Sequence, residues 1–384
     1  FKKAENQARG ADDFHGVGGP LHVSDQKGDR ELANAAIEAC VQAGIPRNPD
    51  FNGRVQEGVG LYQTTTFNRR RWSAARAYLG PARGRANLAI RTGAQARRVV
   101  IENNRAVGVE FQTAQGVETA RCRGEVVVCG GAFGSPQLLQ LSGIGPAEHL
   151  REMGIEVVRD APAVGANLHD HFNTNISWRV SKPITLNDLE RSWPKKIAAA
   201  VQYALFRSGP MATNGIHAGV FTRSDPRLER PDLQINFFEW STLKRDKDGV
   251  TPHPFPGLTM MPVHLRPEGR GTVRLNSADP LAPPKVLFDY LRTEYDTRAL
   301  LSAIALCRGI AAQPALRPYL VEEVVPGPSV VSDDALVDFI RATGVSNQHP
   351  TSSCAMGEGP GTAVDPRLRV HGVDVLRLAD ASAM

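Results

Sequence analysis

The histidine at position 349 lies in a polar loop whose composition leaves its ring available for chemistry. The loop, residues 346–354 (SNQHPTSSC), consists of small and polar residues, so little apolar side chain is at hand to bury the ring. A histidine titrates near neutral pH and can accept the proton of an alcohol while a hydride leaves the carbon. On residue types alone, a surface or capping histidine is the more frequent explanation.

A second group of ionisable side chains is the run His169, Asp170 and His171. Neighbouring residues rarely converge on one metal ion, and no further carboxylate or cysteine is spaced to complete a ligand set. We therefore expect no metal site here.

Three serines, at positions 135, 142 and 353, could act as nucleophiles with a histidine as base. A hydrolase would be expected to place its serine in a G-x-S-x-G elbow, and none of the three has that context. The sequence therefore argues against a serine hydrolase.

The elements that would position a ligand are clearest at residues 125–145. The apolar run 125–129 predicts a short buried strand, and the two glycines after it predict a turn. Ser135 and Pro136 suit the N-cap and the first position of the helix that follows, and Gly143 suits its end. A helix N-terminus beside a glycine turn favours an anion such as phosphate. An ordinary strand-to-helix crossover explains the same spacing.

The rest of the chain predicts a mixture of helices and mostly antiparallel strands. Amphipathic spacing predicts a helix at 31–43, and alternation over 87–111 predicts a hairpin or meander that turns at Asn103 and Asn104. Further strands are expected at 175–180, 219–222, 233–238, 258–265 and 271–275, and further helices at 294–312 and 333–343. The predicted fold class is α/β plus α+β.

Composition excludes several other classes of protein. The formal charge of +5 is scattered, and its one dense cluster, Arg69 to Arg71, is short and followed by Trp72, so we expect a surface or anion-contacting loop and no nucleic acid. The five cysteines form no C-x-x-C pair, which argues against a zinc site or a disulfide framework. No apolar run approaches the ~20 residues that a membrane span needs, so no transmembrane segment is expected.

Several segments, in order along the chain, resemble the glucose-methanol-choline (GMC) oxidoreductases, in particular the choline dehydrogenase-like alcohol dehydrogenases. Residues 126–145 are similar to the family's second signature, with its Ser-Pro, apolar helix and Ser-Gly-apolar-Gly. The other similar segments are 1–23, 69–100, 164–171, 266–280, 349–357 and 363–384. The resemblance implies a partial, Rossmann-like FAD-binding domain and a substrate domain built on a mostly antiparallel sheet.

The resemblance also implies a reaction. Members of the family oxidise an alcohol (CH–OH) by hydride transfer to FAD, and their HPxGTCxMG pattern places the general base at His349. Gln348, Ser352 and Ser353 depart from that pattern, which usually has an aromatic residue, Gly and Thr there. The electron acceptor is left open between oxygen, a quinone and another carrier. Alternatives are a family-related hydroxynitrile lyase and a non-catalytic truncated copy.

Residues that contact the flavin in the family correspond to five positions of this chain. They fall in the segment TGAQA, in the glycine turn and in the segment LADAS. The implied cofactor-binding residues are Ala96, Gly131, Ala132, Asp380 and Ala381.

Other positions correspond to the surroundings of the reacting centre. The resemblance implies that Asn167, Asp170 and His171 support the active site beside the flavin, and that His217 lies on the substrate side. By its aromatic side chain alone, Trp240 is a candidate for the lining of an apolar substrate pocket. His217 stands where choline-specific members have a glutamate. A quaternary ammonium needs an anion or an aromatic cage. We therefore expect a primary alcohol, aliphatic or aromatic, in preference to choline.

The resemblance divides the chain into three parts. Residues 1–165 correspond to the C-terminal part of the FAD-binding region with cofactor-covering segments, 166–344 to the substrate-binding domain, and 345–384 to a return segment. The family's G-x-G-x-x-G fingerprint does not occur in the sequence, and the family's Asn-rich loop would follow Met384. We thus expect a fragment that is inactive by itself. The sequence leaves the location open, with a cytoplasmic protein or one peripherally associated with a membrane as the expectation.

Overall fold

The computed structural model describes residues 1–26, 31–213, 215–247 and 249–384. The chain forms two compact units. Unit 1 comprises residues 1–88, 172–266 and 297–345, and unit 2 comprises residues 89–171, 267–296 and 346–384. The three-part division into cofactor and substrate regions stays a prediction.

The described residues form helices and strands throughout. The α-helices are α1 Glu31–Gln42, α2 Gly80–Ala82, α3 Gly131–Leu141, α4 Ala147–Glu152, α5 Leu186–Glu190, α6 Trp193–Phe206, α7 Glu294–Ala311 and α8 Asp333–Thr343. The strands are β1 Glu5–Gln7, β2 Leu21–Asp25, β3 Gly58–Leu61, β4 Gln63–Thr64, β5 Thr66–Phe67, β6 Arg70–Arg71, β7 Gln95–Glu102, β8 Arg105–Thr113, β9 Gly116–Arg121, β10 Val126–Val128, β11 Ile144–Gly145, β12 Arg159–Asp160, β13 Phe172–Asn173, β14 Ile176–Val180, β15 Ile216–Thr222, β16 Leu233–Phe238, β17 Thr242–Asp246, β18 Gly249–Pro252, β19 Gly257–His264, β20 Thr272–Arg274, β21 Lys285–Leu287, β22 Leu320–Val325, β23 Val345–Ser346 and β24 Leu376–Leu378.

Unit 1 is built on an antiparallel sheet in which the main order of strands is β22, β14, β19, β16, β15 and β3. Its central strands are buried along nearly their whole length, because helices cover apolar side chains of the sheet. In α7, Ala299 and Ala303 recur at helical spacing and pack against Leu233 of β16. The predicted antiparallel sheet and the predicted helix at 294–312 are confirmed.

Unit 2 combines an antiparallel sheet, β7-β8-β9, with a parallel pair of strands, β10 and β24. The parallel register sets Val126 opposite Leu376 and Val128 opposite Leu378. Both strands supply buried side chains to one hydrophobic core together with Leu139 of α3. This pairing brings the turn after β10 next to the residues that follow β24.

Two local predictions are wrong, and one helix was not predicted. Helix α3 begins at Gly131, so Ser135 and Pro136 lie inside it and do not start it. The segment 88–90 forms no strand, and the meander has its third strand at β9 instead. Helix α6, which buries only Ala199, was not expected, because the sequence predicted mainly strands in this region. Within the described residues, no helix is long and apolar enough to cross a membrane.

Candidate active site

Asp170 organises a polar cluster in unit 2. The carboxylate is buried, with 4% of the residue exposed. It accepts hydrogen bonds from the Tyr290 hydroxyl at 2.6 Å, from the Ser346 hydroxyl, and from the backbone N–H of His349 at 2.8 Å. A buried carboxylate with three donors is well satisfied, and each bond to a charged acceptor is stronger than one between neutral groups. Asp170 therefore fixes the loop that contains His349.

His349 combines a held backbone with an exposed side chain. Gln348 has a φ of 60°, in the left-handed region, so the backbone bends sharply just before the histidine. The ring of His349 stacks on His171, with 5.4 Å between the ring centroids and 26° between the planes. The backbone N–H of Asn347 also donates to the His171 carbonyl at 2.8 Å. Of the residues singled out from the sequence, the structure brings His349, Asp170 and His171 together.

Tyr290 and Ser346 were not identified from the sequence, although both bind Asp170. Burial, followed by the hydrogen bond to the Asp170 carboxylate, raises the pKa of Tyr290, so the phenol stays a proton donor at neutral pH. The ring of Tyr290 stacks on that of Phe288, with 5.0 Å between the ring centroids and 8° between the planes. The only sequence feature that could have pointed to Ser346 is its place in the loop of His349. No sequence feature pointed to Tyr290, because it lies far from both Asp170 and His349 along the chain.

His169 differs from its two neighbours in the same run. Burial, and then the nearby charges of Arg270 and His171, lower the pKa of His169 to about 4, so its ring is neutral. Its backbone pairs with that of Thr351, which ties this run to the loop of His349. Within the described ranges, no group of three or more His, Cys, Asp or Glu side chains is arranged to hold a metal ion.

Asp380 organises a second cluster in unit 2, at the start of α3. Its Oδ2 accepts the Gly131 N–H at 3.0 Å and the Ser135 hydroxyl at 2.5 Å, and its Oδ1 accepts the Ser382 N–H at 2.8 Å. Burial opposes ionisation, but these hydrogen bonds outweigh it and lower the pKa of Asp380. Gly131 has a φ of 77°, which a residue with a Cβ adopts only under strain. An ionised carboxylate therefore caps the helix whose N-cap was predicted to be Ser135.

The loop of His349 also bonds to the residues expected beside the flavin. The Ser352 N–H donates to the Ala381 carbonyl at 3.0 Å, and the Ser353 hydroxyl donates to the Ala132 carbonyl at 2.6 Å. Ser352 keeps a φ of 67° at the position where the family usually has glycine. The departures at Ser352 and Ser353, two of the three in this loop, therefore leave the loop anchored.

The two remaining predicted positions in unit 2 lie in other elements. Ala96 belongs to β7, where it is opposite Phe111 of β8. Asn167 has a φ of 58° in the loop that leads to Asp170. The structure thus groups Gly131, Ala132, Asp380 and Ala381, whereas Ala96 is part of the β7-β8-β9 sheet.

The predicted substrate residues belong to unit 1. His217 lies at an irregularity in the pairing of β15 with β16, and its Nδ1 is 4.0 Å from Oε1 of Glu239. Both side chains are buried, with 3% and 4% exposed. Trp240 is half-buried and donates from Nε1 to the Thr242 hydroxyl at 2.9 Å. Sequence reasoning missed Glu239, although it directly precedes Trp240.

Tyr62 contributes a further polar group to the same sheet. Its hydroxyl donates to Oδ1 of Asn236 at 2.7 Å and accepts a hydrogen bond from Nε2 of Gln234 at 2.8 Å. Burial raises the pKa of Tyr62, which keeps its proton. Unit 1 therefore contains buried polar side chains on β15, on β16 and beside β3.

Comparison with known proteins decides the family. The family models described as GMC oxidoreductase match residues 1–173 and 267–384. The chain belongs to the GMC oxidoreductase family. This GMC oxidoreductase is 41% identical over 384 residues to the oxygen-dependent choline dehydrogenase of Brucella suis, and the match covers the whole chain and 69% of that relative.

Solved structures agree with this assignment. Pyridoxine 4-oxidase from Mesorbium loti has a TM-score of 0.87 and 27% identity to the GMC oxidoreductase described here, covering 100% of this chain and 71% of the other. A formate oxidase of Aspergillus oryzae, a protein studied for its FAD modification, has a TM-score of 0.89 over 100% of this chain and 72% of the other. Its identity is 24%, so it supports the fold alone. The helices and mostly antiparallel sheets predicted from the sequence are those of this family.

Proposed function

We propose that this protein catalyses the oxidation of an alcohol, with FAD as hydride acceptor and His349 as the group that takes the hydroxyl proton. The observation that supports this most is the attachment of the His349 backbone to buried Asp170, with the ring left exposed. Such an arrangement sets the position of a base while a substrate can still reach it. Family membership supplies the reaction class.

The glycine turn supports the choice of FAD. Cys129 and Gly130 are exposed, and a Cβ at Gly130 would come within 2.9 Å of the backbone of Gly134, so bare backbone is required there. Such a surface suits an uncharged part of the cofactor. The ionised carboxylate of Asp380 already binds the Gly131 N–H, which argues against a phosphate at that position. When bound, the flavin would supply the hydride acceptor that side chains lack.

We expect each residue of the Asp170 cluster to have its own role. His349 would accept a proton from the alcohol oxygen, since an imidazole nitrogen without a hydrogen is a hydrogen-bond acceptor and a base. Asp170, Tyr290 and Ser346 would hold the loop in place without taking part in proton transfer, because their hydrogen bonds are to one another and to the backbone. His171 would limit rotation of the His349 ring by stacking on it.

The substrate proposed is a primary alcohol, aliphatic or aromatic. The Brucella relative is named as a choline dehydrogenase, so choline belongs among the compounds to be tested. In this chain, His217 and Glu239 are close enough for an ion pair when the histidine is protonated. A carboxylate engaged in this way is less available to a quaternary ammonium, which supports a neutral alcohol over choline.

The proposal is tested on the product of the full reading frame that contains this sequence, purified with FAD. The protein is mixed without oxygen with choline, a linear primary alcohol and a benzylic alcohol, and flavin absorbance is followed. We expect bleaching, with a higher second-order rate constant for a neutral alcohol than for choline. If no alcohol in a broad panel bleaches the flavin, the proposal is wrong.

The same experiment separates oxidation from the lyase reaction found in part of the family. A hydroxynitrile lyase would release cyanide and a carbonyl compound from a cyanohydrin and leave the flavin oxidised. Bleaching by an alcohol without cyanide release would support oxidation. Cyanide release with an unchanged flavin spectrum would support the lyase.

A further inference from the structure

The arginine cluster noted in the sequence, Arg69 to Arg71, lies on a tight hairpin of unit 1. Strands β5 and β6 pair in antiparallel register, with Phe67 opposite Arg70. The two residues that connect them, Asn68 and Arg69, have φ values of 49° and 56°, and the favoured two-residue hairpin turns need such positive angles. Arg70 and Arg71 are thus held in an ordered strand.

The end of α6 brings a further arginine to this hairpin. The Tyr203 hydroxyl donates to the Arg69 carbonyl at 3.2 Å, and the Arg69 guanidinium donates to the carbonyl of Arg207, 138 positions along the chain. The guanidinium carbon of Arg207 lies 4.9 Å from the centre of the Tyr203 ring. Positive groups from two distant parts of the sequence are therefore fixed close together.

Two aromatic rings beside the arginines are fixed as well. Trp72 follows β6, and its indole Nε1 donates to the Pro20 carbonyl at 2.8 Å. The rings of Trp72 and Phe67 meet edge to face, with 5.2 Å between the centroids and 64° between the planes. Phe67 is 41% exposed, and Trp72 is half-buried. Part of this aromatic pair is thus open to a ligand.

Arg76 comes from an uncommon element. Residues Ala75–Leu79 form a single π-helical turn, and such turns occur frequently at functional sites. Nη1 of Arg76 donates to the Arg71 carbonyl at 3.2 Å, so the side chain is turned back towards the hairpin. This bond uses one of the N–H donors of the guanidinium and leaves the others for a ligand.

The arginines and the aromatic rings line one cleft of about 370 Å³, within the range of small-molecule sites. Three of its six lining side chains are guanidinium groups, and none of the six is a carboxylate. We call it the arginine cleft. Its lining residues are Phe67, Asn68, Arg70, Trp72, Arg76 and Arg207.

The positive charge of the arginine cleft is not balanced by nearby carboxylates. Residues 58–101 contain nine arginines and no acidic residue. In unit 2, Arg91 pairs with Glu118 and Arg98 pairs with Glu110. By contrast, the three arginines of the cleft form no salt bridge with any carboxylate in the part of the chain that the structure describes. Like charges held close together repel one another, and a bound anion relieves that repulsion.

We propose that the arginine cleft binds a small organic anion that carries a phosphate group and a planar ring, of the class of nucleoside monophosphates. Guanidinium groups bind phosphate through paired, charge-assisted hydrogen bonds. The ring would pack against Trp72 and Phe67, as bases do on aromatic side chains. The cleft is larger than a bare phosphate would fill, which favours the larger ligand. This inference goes beyond alcohol oxidation and does not depend on it.

The test is a calorimetric titration of the whole protein that contains this chain, loaded with FAD and freed of excess FAD so that the flavin site is occupied. The probes are AMP, ribose 5-phosphate, inorganic phosphate and adenosine at constant ionic strength. We expect AMP to bind at one site and most tightly, because ribose 5-phosphate and phosphate lack the ring and adenosine lacks the charge. Added salt should weaken the binding of AMP.

The double variant Arg70→Gln/Arg76→Gln should raise the Kd for AMP about tenfold or more, because two charge-assisted donors are lost. Arg83→Gln/Arg85→Gln is the matched control. It removes the same charge from exposed arginines of the same segment that do not line the cleft, and it should bind AMP as the wild type does. Thermal unfolding is measured to confirm that both variants fold.

A second measurement uses tryptophan emission, which AMP should change in the wild type and not in Trp72→Phe. Absence of AMP binding, or an equal loss in the two double variants, would overturn the proposal. Equal affinity for AMP and inorganic phosphate would also overturn it, because the aromatic rings would then take no part. Tighter binding of a single-stranded oligonucleotide, weakened equally in both double variants, would indicate a nucleic-acid surface instead and overturn it too.

Discussion

Asp170 accepts a hydrogen bond from the backbone nitrogen of His349 at 2.8 Å, across 179 positions of sequence. The carboxylate is buried and the imidazole is exposed. The interaction therefore positions the histidine through its main chain and leaves both ring nitrogens to other groups. Asp170 can therefore be replaced without removing His349, the proposed base. The positioning role of Asp170 and the base role of His349 can thus be tested in separate variants.

Replacing His349 with glutamine tests its role as base. We expect the rate constant for flavin reduction by alcohol to fall by a factor of roughly 10² to 10⁴, the usual contribution of a general base. FAD content and thermal stability should be retained, because the backbone N–H that binds Asp170 remains. The measurement is anaerobic stopped-flow absorbance. His371→Gln, at a partly exposed histidine of the same unit, serves as control, and equal rates for the two variants would contradict the assignment.

Replacing Asp170 or Tyr290 tests the cluster that holds the loop. Tyr290→Phe removes one hydrogen bond and should lower the free energy of unfolding by about 1 to 2 kcal/mol. Asp170→Ala leaves three donors without their acceptor and should cost roughly 2 to 4 kcal/mol. Urea denaturation measures both. Glu358→Ala, at an exposed carboxylate of unit 2, should change little, and a loss as large as that of Asp170→Ala would show a nonspecific effect.

Replacing Asp380 with asparagine tests the cap of α3. The pKa of Asp380 is lowered in the folded protein, so its ionised form stabilises the fold above the unfolded pKa of about 3.9, and this stabilisation is lost as pH falls through the folded pKa. Asp380→Asn should therefore be less stable than wild type at pH 7, with the difference shrinking below about pH 4. Ser135→Ala should show a smaller loss with the same sign. A difference in stability between Asp380→Asn and wild type that does not change with pH would contradict the stabilising role of the ionised carboxylate.

His15 predicts a pH dependence of the opposite sign. Its ring is buried between two carboxylates, with Nδ1 3.0 Å from Glu5 and Nε2 2.9 Å from Asp50. Burial disfavours the imidazolium, but the hydrogen bonds and charges of Asp50 and Glu5 outweigh burial and raise the pKa of His15. The stabilisation is therefore complete below the unfolded pKa of about 6.5 and is lost as pH rises through the folded pKa.

His15→Gln should remove this dependence. Urea unfolding is measured from pH 6 upward, at values where the variant and the wild type both refold. We expect the wild type to lose stability as the pH rises and the variant to show a flatter profile. His22→Gln is the control, since His22 is half-buried in β2 and bonds to Asn6, not to a carboxylate. If the difference in free energy of unfolding between wild type and His15→Gln stays constant as the pH rises, the ring of His15 does not change its protonation over that range and the prediction is wrong.

Local pattern was enough for much of the fold. The spacing of apolar residues predicted several elements, because the buried side of a helix or strand repeats at a fixed interval along the sequence. These elements are the strands around 176–180, 233–238 and 257–264 and the helices at 294–311 and 333–343. The segments that resemble the GMC oxidoreductases, which occur in the same order as in that family, also predicted the reaction class. The start of α3 was misjudged, because the group that caps it, Asp380, is 245 positions from Ser135.

The apolar spacing of α6 is also present in the sequence, yet spacing does not tell whether a face points inward or outward. Only packing decides that, and it leaves Trp193, Ile197, Val201 and Leu205 exposed. Likewise, the sequence identified His349, Asp170 and His171 as candidates through a resemblance. Only the tertiary structure joins Tyr290 and Ser346 to Asp170, and Glu239 to His217. Hydrogen bonds and charges act over a few ångströms of space, and no local pattern records which distant residues will come that close.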